Sequence, residues 1–221
     1  MGKLVDFVTP IHKITSRAYF HRMSNSKVNS MVIAKRFGFD YWDGDRKFGY
    51  GGYRYLPGRW KSVAEKLLHN YELKSNANVL DVGCGKGFLL YELQLLRPDL
   101  NFFGIDISQY ALKNLHPNLK GNFLVHKAQE KYPFGDKEMD LVISLGTIHN
   151  LHLPEIEDCL SEITRVSKQS YIMVESFRSE LEMFNVECWA LTAETLISPS
   201  AWEWLFKKCN FEGDYEFVYF E

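Results

Sequence analysis

Cysteine is scarce in this chain, and no two cysteines lie close together. The 221 residues include four, Cys84, Cys159, Cys188 and Cys209, without a C-x-x-C pair. Such spacing argues against a structural zinc site and against a disulfide scaffold. No apolar run approaches the roughly 20 residues of a membrane-spanning helix, and the first ten residues lack a signal-peptide core. We therefore expect a cytoplasmic protein that does not enter membranes.

Charge is nearly balanced overall but unevenly distributed. The formal net charge is −2, yet residues 1–61 hold 12 Lys and Arg against 4 Asp and Glu, a balance of +8. A basic first quarter is typical of a solvated helical surface, or of a region that attracts an anionic substrate. Nucleic acid is the less favoured partner, and the sequence leaves the oligomeric state open.

The order of apolar segments predicts the fold class. Strands are predicted at residues 78–82, 101–105, 122–126, 139–145, 170–175 and 215–220, and helices at 87–96, 108–115, 154–166 and 199–209. This alternation predicts an α/β fold with a Rossmann-like, doubly wound, mostly parallel sheet. We divide the chain into an N-terminal extension, residues 1–60, and a Rossmann-like domain, residues 61–221.

The N-terminal extension is predicted to be helical to about residue 37, with Ser24 or Asn25 as a helix cap. Residues 39–60 then form a glycine-rich loop in which regular structure is not expected. The loop carries six large rings: Tyr41, Trp42, Tyr50, Tyr53, Tyr55 and Trp60. Loops of this length in compact domains are usually functional. We predict a lid over a ligand site; the alternative is a surface loop held by its own tyrosines.

A glycine-rich turn follows the first predicted strand and opens a helix. Its sequence, residues 83–87, is Gly-Cys-Gly-Lys-Gly. A P-loop is excluded because Leu80 stands where its first glycine belongs and Gly87 replaces the hydroxyl residue. The dinucleotide fingerprint is disfavoured because Phe88 takes the place of the third glycine. Asp81, two residues before the turn, would also repel a pyrophosphate.

These residues and three later segments resemble one family. Residues 79–87, Val-Leu-Asp-Val-Gly-Cys-Gly-Lys-Gly, look like the first motif of class I S-adenosylmethionine-dependent methyltransferases. Residues 103–108 resemble the family's second strand, and residues 132–134 and 139–144 its proline–phenylalanine turn and fourth strand. The resemblance implies S-adenosylmethionine as cofactor and S-adenosylhomocysteine as product. A nicotinamide dehydrogenase is the competing interpretation.

The resemblance also implies a set of cofactor-binding residues. Asp106, at the end of the second strand, is expected to hold the ribose hydroxyls. Lys127 stands where the family usually has an acid that contacts adenine, so we assign that contact to Gln129 and Ala128. The full predicted set is Asp81, Gly83, Cys84, Gly85, Gly87, Asp106, Ile107, Ala128, Gln129 and Leu145, with Arg59 for the cofactor carboxylate.

Candidates for the methyl-transfer chemistry follow the fourth and fifth strands. His149 is the first candidate for a general base because imidazole titrates near neutral pH, and Glu175 is the second. A structural role is the alternative for each. His149 and His152 have H-x-x-H spacing without a third ligand nearby, so we predict no metal site. We assign acceptor binding to Trp42, Tyr50, Tyr53, Arg54 and Asn150.

The whole chain resembles a bacterial small-molecule subgroup of these enzymes. The resemblance rests on residues 39–46, 49–53, 145–151 and 213–217. It implies an oxygen acceptor that is phosphorylated, a phosphoramidate or a sugar nucleotide, and a role in capsule or surface-polysaccharide biosynthesis. An RNA or protein methyltransferase and a non-catalytic cofactor-binding partner subunit remain alternatives.

Overall fold

A six-stranded sheet lies at the centre of the computed structural model, which describes residues 2–221. Its strands are Asn78–Val82 (β1), Asn101–Asp106 (β2), Asn122–Val125 (β3), Met139–Leu145 (β4), Ser167–Glu175 (β5) and Asp214–Val218 (β6). Their order is β3-β2-β1-β4-β5-β6, and every neighbouring pair is parallel. The predicted doubly wound α/β fold is confirmed.

Helices cover both faces of the sheet and precede it. They are Thr9–Lys13 (α1), Tyr19–Ser24 (α2), Lys27–Ala34 (α3), Phe39–Trp42 (α4), Lys61–Tyr71 (α5), Phe88–Leu96 (α6), Gln109–Lys113 (α7), Leu153–Val166 (α8), Glu180–Trp189 (α9) and Pro199–Lys208 (α10). Among residues 2–221, no helix is both long and apolar enough to cross a membrane.

Alternation along β1 explains the two layers of core. Val79 packs into an apolar cluster with α5 and α6, whereas Leu80 and Val82 pack into a second cluster with α8 and α10. Successive side chains of a strand point to opposite faces, so one strand supplies both cores. The strand order reverses between β1 and β4, and ligands of such sheets bind in the crevice at that point.

The N-terminal extension differs from its predicted form. Residues 9–34 are helical, as expected, but they form three short helices. Ser24 and Asn25 lie at the end of α2, and Ser26, with a φ of +50°, precedes α3. The loop also holds regular structure, in α4 and the 3₁₀ turn Arg46–Phe48. Helices this short need tertiary contacts for stability, which a local pattern does not reveal.

A buried carboxylate fastens the first residues to the edge of the sheet. Lys3 and Val5 pair with Tyr215 of β6 through backbone hydrogen bonds. Glu216, only 1% exposed, accepts hydrogen bonds from the backbone of Phe7, Val8 and Thr9 and from the Tyr171 hydroxyl. The contact places α1 beside the carboxyl ends of the strands.

Candidate active site

A cavity of about 460 Å³ opens at the carboxyl ends of β1, β4 and β5. The strand ends contribute Asp81, Leu145, Met173 and Glu175 to one wall. The opposite wall comes from the N-terminal extension, and α9 adds Trp189. The predicted crevice at the reversal of strand order is therefore enclosed by segments outside the sheet.

The glycine turn packs too tightly for larger residues. Gly83 and Gly85 have φ angles of +83° and +55°, a region that side chains disfavour. A Cβ at Gly83 would overlap the Thr147 side chain, and one at Gly85 would lie 2.9 Å from the Trp42 ring. Both glycines line the cavity, and glycine is required at each position because Thr147 and Trp42 pack directly against the backbone.

Two carboxylates lie beside the turn in different environments. Asp81 lines the cavity and is 5% exposed; burial, with the charge of Asp106, raises its pKa to about 8. The Asp106 carboxylate accepts hydrogen bonds of 2.7 Å from the backbone of Gly85 and Ser108. Burial raises the pKa of Asp106 and these bonds oppose the rise. Asp81 is thus the carboxylate that a bound cation would meet.

The loop of residues 39–60 is fastened over the turn by polar contacts. The Trp42 Nε1 donates to Ser108 Oγ at 2.9 Å. Lys86 Nζ, within the turn, lies 2.7 Å from both carboxylate oxygens of Asp43, and the Tyr110 hydroxyl donates to the same carboxylate. The lysine that a P-loop would direct at a phosphate is here committed to an ion pair with the loop.

Rings of the loop pack against each other above the turn. Trp42 and Tyr50 stack with centroids 5.3 Å apart, and Tyr53 lies 4.5 Å from Tyr50 and 5.0 Å from Phe88 of α6. Tyr50 nevertheless remains 44% exposed. Aromatic faces attract cations, so these rings offer a surface for a positively charged group.

His149 and Glu175 form a pair at the ends of β4 and β5. His149 is 3% exposed, and its Nδ1 accepts a hydrogen bond from the Glu175 backbone at 3.2 Å. Its Nε2 lies 3.6 Å from Glu175 Oε2. Burial lowers the pKa of His149 and the charge of Glu175 opposes that shift. A neutral imidazole with Nδ1 as acceptor carries its proton on Nε2, which faces the carboxylate.

The cavity brings together only some of the predicted site residues. It is lined by Asp81, Gly83, Cys84, Gly85, Leu145, His149, Glu175, Trp42, Tyr50, Tyr53, Arg54 and Arg59. Outside the lining are Gly87, Asp106, Ile107, Ala128, Gln129 and Asn150. The Gln129 amide donates to Glu155, and the Asn150 amide to the Gly146 carbonyl. The enclosed space therefore adjoins the glycine turn, and the residues assigned to ribose and adenine lie beyond it.

Sequence reasoning missed one part of the lining. Arg17, Arg22, Arg46 and Trp189 face the cavity, but α9, which carries Trp189, was not predicted. Its apolar residues do not recur at one helical face, since Leu181 and Phe184 are exposed while Val186 is buried. The sequence feature that pointed to these arginines was the positive net charge of residues 1–61.

Comparison with known proteins identifies the family. A family described as a methyltransferase domain matches residues 73–210, so the chain belongs to that family. A ubiquinone biosynthesis O-methyltransferase from Rickettsia bellii is 28% identical over 160 residues, covering 69% of this chain and 62% of that protein. A tRNA U34 carboxymethyltransferase from Nautilia profundicola is 28% identical over 116 residues, 49% of this chain and 37% of that one. The chain thus spans about three fifths or less of these relatives.

A solved structure shows the same fold. The plantazolicin methyltransferase BpumL, in complex with S-adenosylhomocysteine, has 17% identity and a TM-score of 0.55, covering 87% of this chain and 78% of that one. The family assignment confirms the sequence prediction of a methyltransferase domain. The turn is compatible with the S-adenosylmethionine expected from the sequence, since Asp81 presents a buried carboxyl for an ammonium group at the cavity wall.

Proposed function

We propose that this protein transfers a methyl group from S-adenosylmethionine to an oxygen of a small, anionic acceptor. The observation that carries the proposal is the polarity of the cavity. Asp81 and Glu175 lie on the sheet wall, whereas Arg17, Arg22 and Arg46 lie on the opposite wall. A sulfonium donor with an ammonium group suits the first wall, and an anionic acceptor suits the second.

The glycine turn and the loop bind the donor. S-adenosylmethionine supplies a methyl group already activated by positive sulfur. Asp81 binds its ammonium group, the backbone at Gly83 and Gly85 approaches it closely, and Tyr50 and Tyr53 offer aromatic faces to positive charge. Residues 1–60 act as the lid that excludes water, because the loop is fastened to the turn through Asp43 and to Ser108 through Trp42.

Glu175 removes the proton from the acceptor hydroxyl, and His149 is a positioning residue. The Nδ1 lone pair of His149 already accepts the Glu175 backbone N–H, so it is not free for a second proton donor. The Nε2 proton faces the Glu175 carboxylate and orients it. A general base contributes about 10²- to 10⁴-fold, and alignment of the acceptor supplies much of the remainder.

Arg59 binds the carboxylate of the donor. It is exposed and lines the cavity, and a guanidinium pairs bidentately with a carboxylate. Arg59→Ala should weaken S-adenosylhomocysteine binding by about tenfold, the loss of one charge-assisted contact. Calorimetry measures this, with exposed Arg36→Gln as the control. Equal affinity in Arg59→Ala and the unmodified protein would remove Arg59 from the site.

A screen with labelled S-adenosylmethionine tests the reaction. Sugar phosphates, sugar nucleotides, phosphoramidates and neutral sugars are offered as acceptors, and labelled products are separated from the donor. The proposal predicts transfer to a phosphorylated or phosphoramidate acceptor, as expected for capsule or surface-polysaccharide precursors. Labelling of neutral sugars alone would contradict the anionic acceptor.

The second candidate is methylation of RNA. It is favoured by the similarity to the tRNA U34 carboxymethyltransferase and by the +8 balance of residues 1–61. RNA binding of this kind would weaken steeply with added salt, since each neutralised phosphate releases counterions. Filter binding of total tRNA from 50 to 300 mM salt distinguishes the two. Tight, salt-sensitive binding with methyl transfer would replace the small-acceptor proposal.

A further inference from the structure

Three arginines lie close to one indole ring in the part of the cavity that the N-terminal extension lines. The guanidinium carbons of Arg22, Arg46 and Arg17 lie 4.3, 5.0 and 5.5 Å from the centroid of Trp189. All four residues line the cavity. We call Arg17, Arg22 and Arg46 the arginine cluster. Three guanidiniums within 5.5 Å of one ring centroid exceed what a single cation–π contact needs.

The hydrogen-bond partners of the arginine cluster are neutral. Arg22 donates to the carbonyls of Lys47, Arg46 and Gly49, and Arg46 also donates to the Gly49 carbonyl. Within residues 2–221, no Asp or Glu forms an ion pair with any of the three. The carbonyls satisfy N–H groups but bring no counter-charge, and Glu175 acts on the charge of Arg17 without forming an ion pair with it.

One donor of the cluster has no partner at all in this structure. Arg17 directs Nη1 to the carbonyls of His12 and Thr15, at 3.3 and 3.0 Å. Its Nε is buried without a hydrogen bond. A buried donor left unpaired costs about 1–3 kcal/mol, so a ligand oxygen at this position would be favoured.

The arginines also act against one another. Burial, and then the charge of Arg46, lowers the pKa of Arg22 to about 10. Burial lowers the pKa of Arg46, and the charge of Arg17 adds to the effect after an opposing contribution from Tyr50. Like charges held close together raise the free energy of the empty site. An anion bound among them would remove that repulsion.

We propose that the arginine cluster and Trp189 form a site for a dianionic tetrahedral group, the phosphoryl group of the methyl acceptor. This inference rests on the proposed function. A phosphoryl group brings two negative charges and three acceptor oxygens, which match three guanidiniums better than a carboxylate does. Trp189 lies among arginines of the N-terminal extension, whereas Asp81 and the glycine turn belong to β1 and the residues that follow it. We assign the acceptor to this cluster and the donor carboxylate to Arg59.

Calorimetry on the full chain tests the anion site. The protein is first saturated with S-adenosylhomocysteine, and inorganic phosphate at pH 8, sulfate or acetate is then titrated at constant ionic strength. Phosphate and sulfate should bind, and acetate should bind at least about tenfold more weakly because it offers one charge and a planar carboxylate. This comparison needs no variant and so does not depend on whether a variant folds.

Single substitutions in the arginine cluster test whether the anion binds there. Arg22→Gln and Arg46→Gln should each weaken phosphate binding by about tenfold while S-adenosylhomocysteine affinity stays within about twofold. Arg22→Lys should recover part of the loss, and exposed Arg36→Gln should behave like the unmodified protein. Equal binding of phosphate and acetate, or unchanged phosphate binding in both Gln variants, would overturn the anion site.

The same titrations separate two kinds of failure. Absence of S-adenosylhomocysteine binding in the unmodified protein would contradict the proposed function itself. Normal S-adenosylhomocysteine binding with no phosphate binding would contradict only the anion site. Loss of S-adenosylhomocysteine binding in the folded Arg22→Gln and Arg46→Gln proteins would assign the cluster to the donor carboxylate and overturn the inference.

Discussion

The two walls of the cavity are formed by different kinds of secondary structure and carry opposite charge. The sheet wall consists of strand ends and a glycine turn, where Asp81 and Glu175 are fixed by a regular frame. The other wall consists of short helices and a loop, and it carries arginines and aromatic rings. We infer that the sheet wall holds the donor's ammonium group and the reacting oxygen, whereas the other wall contacts the donor through the loop of residues 39–60 and selects the acceptor through the arginine cluster. A methyltransferase can then change its acceptor without altering the frame.

The largest expected effect comes from the sheet wall at Glu175. Glu175→Gln should lower kcat by about 10²–10⁴-fold because it removes the general base. S-adenosylhomocysteine affinity should stay within about twofold. Steady-state rates measure kcat, and calorimetry measures the affinity.

His149→Asn is the matched control for that experiment. An Asn side-chain oxygen can accept the Glu175 N–H in place of Nδ1, so the carboxylate remains as the base. We expect a smaller loss of kcat than in Glu175→Gln. If His149→Asn lowered kcat by the larger factor and Glu175→Gln by the smaller, His149 would be the base and our assignment would be reversed.

Asp81→Asn should have the next largest effect, on donor affinity. Loss of the carboxylate that binds an ammonium group should weaken S-adenosylhomocysteine binding by about 10- to 100-fold. In the unmodified protein at pH 7, binding should release protons, because a cation favours the ionised form of a carboxyl whose pKa is about 8. Calorimetry in buffers of different ionisation heat detects this release. Exposed Asp40→Asn should change neither quantity.

The same substitution should stabilise the protein at alkaline pH. The folded-state pKa of Asp81 lies above the ordinary value of 3.8, at about 8. The folded state therefore holds the proton more tightly, and the free energy of unfolding falls as pH rises from about 4 to about 8. The Asp81→Asn variant lacks this dependence. Its free energy of unfolding at pH 8 should exceed that of the unmodified protein by about 1 kcal/mol or more. Urea unfolding at pH 5 and pH 8 measures the difference. The same change in unfolding free energy with pH in both proteins would contradict the prediction.

A separate effect, on stability and loop exchange and not on the chemistry, should come from the contact that joins the two walls. The Lys86 and Asp43 side chains are 7% and 23% exposed and pair at 2.7 Å. Asp43→Asn leaves a buried ammonium without its counter-charge and should cost about 2–4 kcal/mol of unfolding free energy. Amide exchange of residues 39–60 should also accelerate. In the double variant Asp43→Asn with Lys86→Met, the destabilisation should be less than the sum of the two single effects; additive losses would show that the pair does not couple loop and turn.

The sheet wall could be predicted from the sequence, and the other wall only in outline. A strand followed by a tight glycine turn leaves a local signature, and Ser108, the first residue of the helix predicted at 108–115, caps α7 by accepting from the Ala111 backbone. The predicted helix at residues 154–166 and the strand at residues 139–145 are likewise confirmed within one residue.

The N-terminal wall depends on contacts between residues far apart in the chain. Arg17 and Trp189 meet across 172 positions, and no local pattern reports such a pair. The positive balance of residues 1–61 indicated an anionic ligand, but not that three arginines would surround one indole. The irregular apolar pattern of α9 hid the helix that supplies this indole.

Binding of S-adenosylhomocysteine and of NAD, measured by calorimetry on the unmodified chain, tests the central claim most directly. The account predicts one S-adenosylhomocysteine per chain, with affinity lowered in Asp81→Asn, and no heat from NAD. Binding of NAD without binding of S-adenosylhomocysteine would contradict it.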